Sequence, residues 1–193
     1  MDNTLKKLIE SDFYRHYSES KPQALWRIRN DTLYCTIIHR RAHHYSKKSG
    51  LLNKLLSIYW RYRLNYVSRK YLFQVPYTVE IGFGFNFVHF GRLIIAPNVK
   101  IGNNCNIFTG VTIGSTTRGP KRGVPTIGNN VWIGPNAVVV GGIKIEDNVL
   151  IAGNSYVNFD VPANSIVIGN PGKVIDSLNA TEGYICQQYL HYE

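Results

Sequence analysis

The sequence predicts a mainly β protein, a parallel β-helix of short strands behind an N-terminal α-helical segment. Two patterns and one discontinuity carry that expectation. Aliphatic residues recur every six positions from about residue 81, turn-forming residues fall between them, and the composition changes abruptly near Leu72.

Residues 1–72 form the helical segment. They contain one glycine, Gly50, and one proline, Pro22, whereas all other glycines and prolines lie beyond Leu72. Apolar residues recur at helical spacing in Leu5, Leu8, Ile9 and Phe13, and again in Leu51, Leu52, Leu55, Leu56, Tyr59, Tyr62 and Tyr66. Two to four helices fit. Pro22 suits a first helical turn after Ser20, and Ser46-Lys47-Lys48-Ser49-Gly50 reads as a break before the longest helix.

Residues 73–178 form the coil. One aliphatic row runs through Ile95, Ile101, Ile107 and Ile113, then Ile127, Ile133, Val139, Ile145, Ile151 and Val157. A second runs two places away through Leu93, Val99, Cys105 and Val111, then Val131, Ala137, Ile143 and Val149. Six residues with an inward aliphatic side chain and a tight corner make one face of a triangular coil, three faces to a turn of roughly eighteen residues. Asn103-Asn104, Asn129-Asn130 and Asp147-Asn148 suit the corners, because Asn, Asp and Gly tolerate positive φ. The period slips twice, between Ile81 and Ile95 and between Ile113 and Ile127. Each slip is an excursion from a rigid scaffold, where function tends to sit. The first holds the coil's only histidine, His89; the second holds the basic, glycine-rich loop Ser115 to Val124. Residues 179–193 remain as a C-terminal tail.

The 193 residues are 44% hydrophobic and 18% charged, which excludes disorder and leaves ample material for a core. Three dispersed cysteines, Cys35, Cys105 and Cys186, fit a reducing compartment. The charged N-terminus lacks the apolar run of a signal peptide, and the expected address is cytoplasmic. The formal charge of +10 lies wholly in residues 1–72, and the coil is neutral. With no recognised nucleic-acid motif, the charge points elsewhere. A helical segment containing Trp60-Arg61-Tyr62-Arg63 suits peripheral contact with anionic lipid at the inner face of a membrane, or with an acidic glycan.

The coil resembles the hexapeptide-repeat acyltransferases, and within them the serine acetyltransferase-like branch found among capsule and exopolysaccharide O-acetyltransferases. The resemblance rests on Phe73-Gln74-Val75-Pro76-Tyr77, the His89 segment, Gly110 to Gly114, Pro125 to Gly134 with its Val131-Trp132-Ile133-Gly134 step, and Gly169 to Ile175. It implies a left-handed β-helix, a homotrimer, acetyl-CoA bound between neighbouring coils, no metal, and His89 as the catalytic base. Histidine, which titrates near neutrality, suits the removal of a proton from an attacking hydroxyl and its return to a leaving thiolate. Read alone, His89 is a buried, hydrogen-bonded polar residue filling a bulge; its place in the slip and in the matching motif turns the reading to catalysis. The resemblance leaves its orienting partner open among Gln74, Glu80 and a main-chain carbonyl, and Gly91 or Gly110 as the oxyanion donor.

By position, the resemblance implies cofactor contacts at Trp132, Pro135, Gly153, Asn158, Phe159 and Lys173. Where serine acetyltransferases place charged partners for serine, this chain has Val88 and Gly123-Val124. A free amino acid needs such partners, so the expected acceptor is a sugar hydroxyl of a surface polysaccharide or its precursor, held by Phe87, Phe90, Arg118 and Arg122, with Phe85 as a further stacking face. Serine O-acetyltransferase of cysteine biosynthesis is the alternative. A zinc enzyme on the same coil would need three converging histidines, and the coil has one.

Overall fold

The computed structural model describes residues 3–17 and 31–190. The helical start expected at Pro22 lies outside them. Among the described residues three helices, α1 (Asn3–Tyr17), α2 (Asp31–Ser46) and α3 (Leu51–Tyr71), precede the coil. The break before α3 is where the Ser/Lys/Gly run places it, with Gly50 at φ 96°. Leu72, in the left-handed region at φ 56°, ends α3 and turns the chain into the first strand.

The coil is a parallel β-helix with three faces. Sheet A stacks β1 (Phe73–Gln74), β4 (Leu93–Ile95), β7 (Thr112–Gly114), β10 (Val138–Val140) and β13 (Tyr156–Val157). Sheet B stacks β2 (Glu80–Ile81), β5 (Lys100–Ile101), β8 (Thr126–Ile127) and β11 (Lys144–Ile145). Sheet C stacks β3 (Asn86–Val88), β6 (Asn106–Phe108), β9 (Trp132–Ile133), β12 (Val149–Ile151), β14 (Ser165–Ile168) and the antiparallel β15 (Lys173–Asp176). Both aliphatic rows point inward. Phe73, Phe85, Phe87, Leu93, Ile107, Ile113 and Ile133 are wholly buried, and each such side chain contributes about 1.5–3 kcal/mol of apolar burial.

The corners between sheets B and C explain the paired Asn and Asp residues. Asn104, Asn130 and Asn148 take φ of 55°, 52° and 55°. The preceding side chains stack as a ladder: Asn103 Oδ1 accepts the Phe83 N–H at 2.8 Å, Asn129 Oδ1 the Asn103 N–H at 2.8 Å, and Asp147 Oδ1 the Asn129 N–H at 2.7 Å. Corner amides are thereby satisfied by side chains one coil away.

The helices share one core with the coil, through Cys35, Ile38 and Ala42 of α2 and Leu64 and Val67 of α3. Helix α1 packs on α2 through Leu5, Ile9, Phe13, Leu33 and Ile37. Two histidines of these helices are held neutral by burial, which lowers His39 to about 3 and His16 to about 4. Their unfolded forms bind protons below about pH 6.5 while the folded forms do not. Stability is therefore full above pH 6.5 and falls as the pH drops toward 4, by about 2 kcal/mol per histidine at pH 5. Urea unfolding midpoints at pH 7 and pH 5 check this, and His39→Gln is expected to remove roughly half of the slope.

Candidate active site

The first slip is two extra residues at one corner. Ile107 on β6 leads to Val111 before β7 in four steps, whereas Phe87 on β3 leads to Leu93 on β4 in six. The surplus is absorbed by Val88 to Arg92, at the corner between sheets C and A. His89 sits there in the left-handed region, φ 60°, with its side chain exposed. Among the described residues nothing hydrogen-bonds its ring; its neighbour is Phe108, edge to face at 6.0 Å. A histidine filling a buried, satisfied bulge is thus not what the fold contains. Neither side chain expected to orient it is engaged with it. Glu80 pairs with Lys47 at 3.5 Å and Lys100 at 3.7 Å on sheet B, and Gln74 lines a cleft of about 750 Å³ between α3 and sheet A.

Of the two candidate oxyanion donors, the Gly110 N–H is committed to the Arg92 carbonyl at 2.5 Å. No described group accepts the Gly91 N–H, two residues from His89. Gly91 has φ 149°, and a side chain there would collide with Thr109 Oγ1, so only glycine leaves the His89 corner open.

The same corner recurs on the next three coils as Thr109-Gly110, Pro135-Asn136 and Gly153-Asn154. Main-chain bonds tie them edge to edge: Thr109 N–H to Val88 O at 3.2 Å, Asn136 N–H to Thr109 O at 3.2 Å, and Asn154 N–H to Pro135 O at 2.9 Å. At about 4.8 Å per coil, Gly153 lies roughly 14 Å along the edge from His89. Pro135, Gly153 and Phe90 are exposed beside it.

Other expected contacts lie elsewhere in the chain. The loop from Ser115 leaves at the corner between sheets A and B, closed by Thr116 and Gly123 through two main-chain bonds of 3.0 Å and pinned by a Lys121–Asp160 ion pair. It carries Arg118 and Arg122, both exposed, and Asn158 and Phe159 stand at this second edge. Within one chain the two edges are separated by sheet A. Phe159 packs on the terminal turn, its ring 3.4 Å from where a Gly172 side chain would begin, and the exposed Lys173 follows.

Two expectations fail on burial. Phe87 and Phe85 have no exposed surface, because they belong to the inward rows; Phe87 packs on Phe73 at 5.5 Å and cannot stack on a ligand. Trp132 projects outward from sheet C between Phe108 at 4.7 Å and Tyr184 of the returning tail at 5.1 Å, half-buried, and its ring stands 2.7 Å from where a Gly134 side chain would begin, beside Pro135 and Gly153. Sequence reasoning also missed two residues. Phe108 is the immediate neighbour of His89, and Arg92, at the same corner, has no ion pair or hydrogen bond from its guanidinium to a described residue. A cation inside the first slip was the available signal for Arg92.

A family model for the bacterial transferase hexapeptide (six repeats) matches residues 125–158. The serine acetyltransferase of Synechococcus elongatus is 33% identical over 141 residues, 72% of this chain and 54% of the relative. That of Staphylococcus xylosus is 34% identical over 138 residues, 71% of this chain and 61% of the relative. The chain thus spans little more than half the length of these curated relatives. Among solved structures, Neisseria gonorrhoeae serine acetyltransferase in complex with serine aligns with a TM-score of 0.73 at 28% identity, covering 90% of this chain and 70% of that one. Soybean serine acetyltransferase apoenzyme aligns with a TM-score of 0.73 at 27% identity and the same coverage.

These relatives overturn the sugar acceptor and the polysaccharide role expected from the sequence: they are serine acetyltransferases. The expectation erred by tying an amino acid to charged partners at two fixed positions, Val88 and Gly123-Val124. An unpaired cation at another position, such as Arg92, meets a carboxylate equally well. The chain is thus similar to the bacterial hexapeptide transferases in residues 125–158, and to serine acetyltransferases through helices and coil together.

Proposed function

We propose that the chain is an acetyl-CoA-dependent serine O-acetyltransferase, with His89 as general base. The observation that carries this reading is the likeness to serine acetyltransferases over helices and coil together, including one solved with serine bound. In this reading the serine hydroxyl attacks the thioester carbonyl while the His89 imidazole takes its proton. The oxyanion of the tetrahedral intermediate meets the Gly91 N–H. Collapse breaks the C–S bond, and the imidazolium returns its proton to the departing thiolate, giving O-acetylserine and CoA.

The edge past Pro135 and Gly153 is long enough to carry the extended arm of CoA toward His89. Asn158, Phe159, Lys173 and the Arg118–Arg122 loop would come from a neighbouring copy in a homotrimer, since sheet A separates them from His89 within one chain. Cytoplasmic residence follows from this metabolic reading, with a peripheral seat on the membrane argued from α3 below.

Incubation with acetyl-CoA and L-serine is expected to release thiol and form O-acetylserine in equal amounts, read by a thiol reagent and mass spectrometry. Thiol release no faster with serine than without it would overturn the assignment. Arg92→Met tests the serine carboxylate partner: KM for serine is expected to rise at least about tenfold with kcat little changed, because a charge-assisted hydrogen bond common to ground and transition states is lost.

A further inference from the structure

Helix α3 carries two apolar faces, and the fold uses one. Leu64 and Val67 are buried against α2 and the coil, with Trp60 packed beside them under the Arg41 guanidinium at 4.5 Å. On the opposite face Leu51, Leu52, Leu55, Ile58, Tyr59, Tyr62 and Tyr66 remain exposed, Leu51 by 76% and Tyr62 by 70%. At 100° per residue these seven side chains fall within an arc of about 120°. They form one stripe facing away from the body.

The charges around the stripe are of one sign. Helix α3 has Lys54, Arg61, Arg63, Arg69 and Lys70 and no acidic residue. Lys54 and Arg61 flank one edge of the stripe, Arg63 and Lys70 flank the other, and Arg69 closes its C-terminal end. Arg63 is held in place by the Tyr59 and Tyr34 hydroxyls. A second copy of α3 laid on the stripe would bring two sets of five cations together with no carboxylate between them. An anionic lipid surface supplies the missing counter-charge to both edges and an apolar layer for Leu51, Leu55 and Ile58. Tyrosines at the centre of the stripe suit the headgroup boundary. No described helix is long and apolar enough to cross a membrane.

We propose that α3 seats the chain on an anionic bilayer surface, its axis lying in the interface and its outward stripe entering the headgroup boundary. The assignment is independent of acetyl transfer.

The test is co-sedimentation of the full chain with vesicles of phosphatidylcholine alone and of phosphatidylcholine mixed equally with phosphatidylglycerol. Partitioning into the mixed vesicles is expected to be at least about tenfold stronger and to weaken with added salt. The combined variant Leu55→Ser, Ile58→Ser, Tyr62→Ser, altered only at exposed positions, is expected to lose at least about tenfold of that binding at an unchanged sedimentation coefficient without vesicles. Lys54→Gln with Arg61→Gln is expected to lose the preference for phosphatidylglycerol in part while keeping the salt-independent remainder. Three results would each overturn the proposal: no partitioning of the wild-type chain into anionic vesicles, undiminished binding by the triple serine variant, or conversion by that variant of a larger assembly into a smaller one, which would make a second copy the occupant.

Discussion

His89→Ala is expected to lower serine acetylation by about 10²–10⁴-fold, the range for loss of a positioned general base, while the coil remains folded. The fold contributes little to holding this side chain and draws little from it. The ring is exposed, no described residue hydrogen-bonds it, and the inward rows close beneath it through Phe87 and Leu93. The left-handed backbone at φ 60° needs a control, because alanine is less at ease there than histidine or asparagine. His89→Asn keeps a residue suited to that conformation and removes the base. Both variants should lose activity equally and retain the wild-type thermal midpoint to within a few degrees. Activity retained within about tenfold in His89→Asn would remove the imidazole from proton transfer. Phe108, 6.0 Å from the ring, offers a milder comparison. Truncating it frees the imidazole to rotate without removing it, and the loss in kcat should be smaller than in either His89 variant.

The repeat made the coil readable, because a six-residue period with αL-tolerant corners has few other solutions. Its interruptions were informative for the same reason. Ile81-to-Ile95 and Ile113-to-Ile127 depart from the period, and the structure puts one departure at the His89 corner and the other in the loop carrying Arg118 and Arg122. Less was legible about direction. Phe87 and Phe90 are three residues apart in one motif, yet the two extra residues of the bulge leave Phe87 in the interior and Phe90 62% exposed. Trp132 sits in the outward row of sheet C, and only the return path of the tail, which brings Tyr184 against it, shows that its face is covered. Long-range docking was silent altogether. No local pattern marks Ser11, Asp12 and Arg15 as the residues that fasten a helix to a coil corner about seventy positions away.

That fastening is where the largest loss of stability is expected. Asp12→Ala should destabilise the chain by about 3–5 kcal/mol, the cost of leaving one member of a buried ion pair without its partner. Asp12 is wholly buried and Arg40 is 4% exposed. The carboxylate receives Arg40 Nε at 3.0 Å, Arg40 Nη2 at 2.8 Å and the Phe85 N–H at 2.9 Å. Arg40 also reaches the carbonyls of Ile81 and Gly82. Beside this pair, Ser11 Oγ accepts the Gly84 N–H at 2.9 Å and Arg15 donates to the Gly84 carbonyl at 3.2 Å. Helices α1 and α2 are thereby clamped to residues 81–85, the segment that leads directly into β3 and His89. Removing the carboxylate strands a buried guanidinium and frees the Phe85 amide, so unfolding in urea should begin earlier and activity should fall alongside it. Replacing both partners, Asp12→Leu with Arg40→Met, restores packing without charge and should recover a large part of the loss, since a buried pair is costlier to break than to replace. If Asp12→Ala shifted stability by less than about 1 kcal/mol, the helices would be held by the apolar contacts of Ile38, Leu64 and Val67 alone, and residues 81–85 would owe their geometry to the coil.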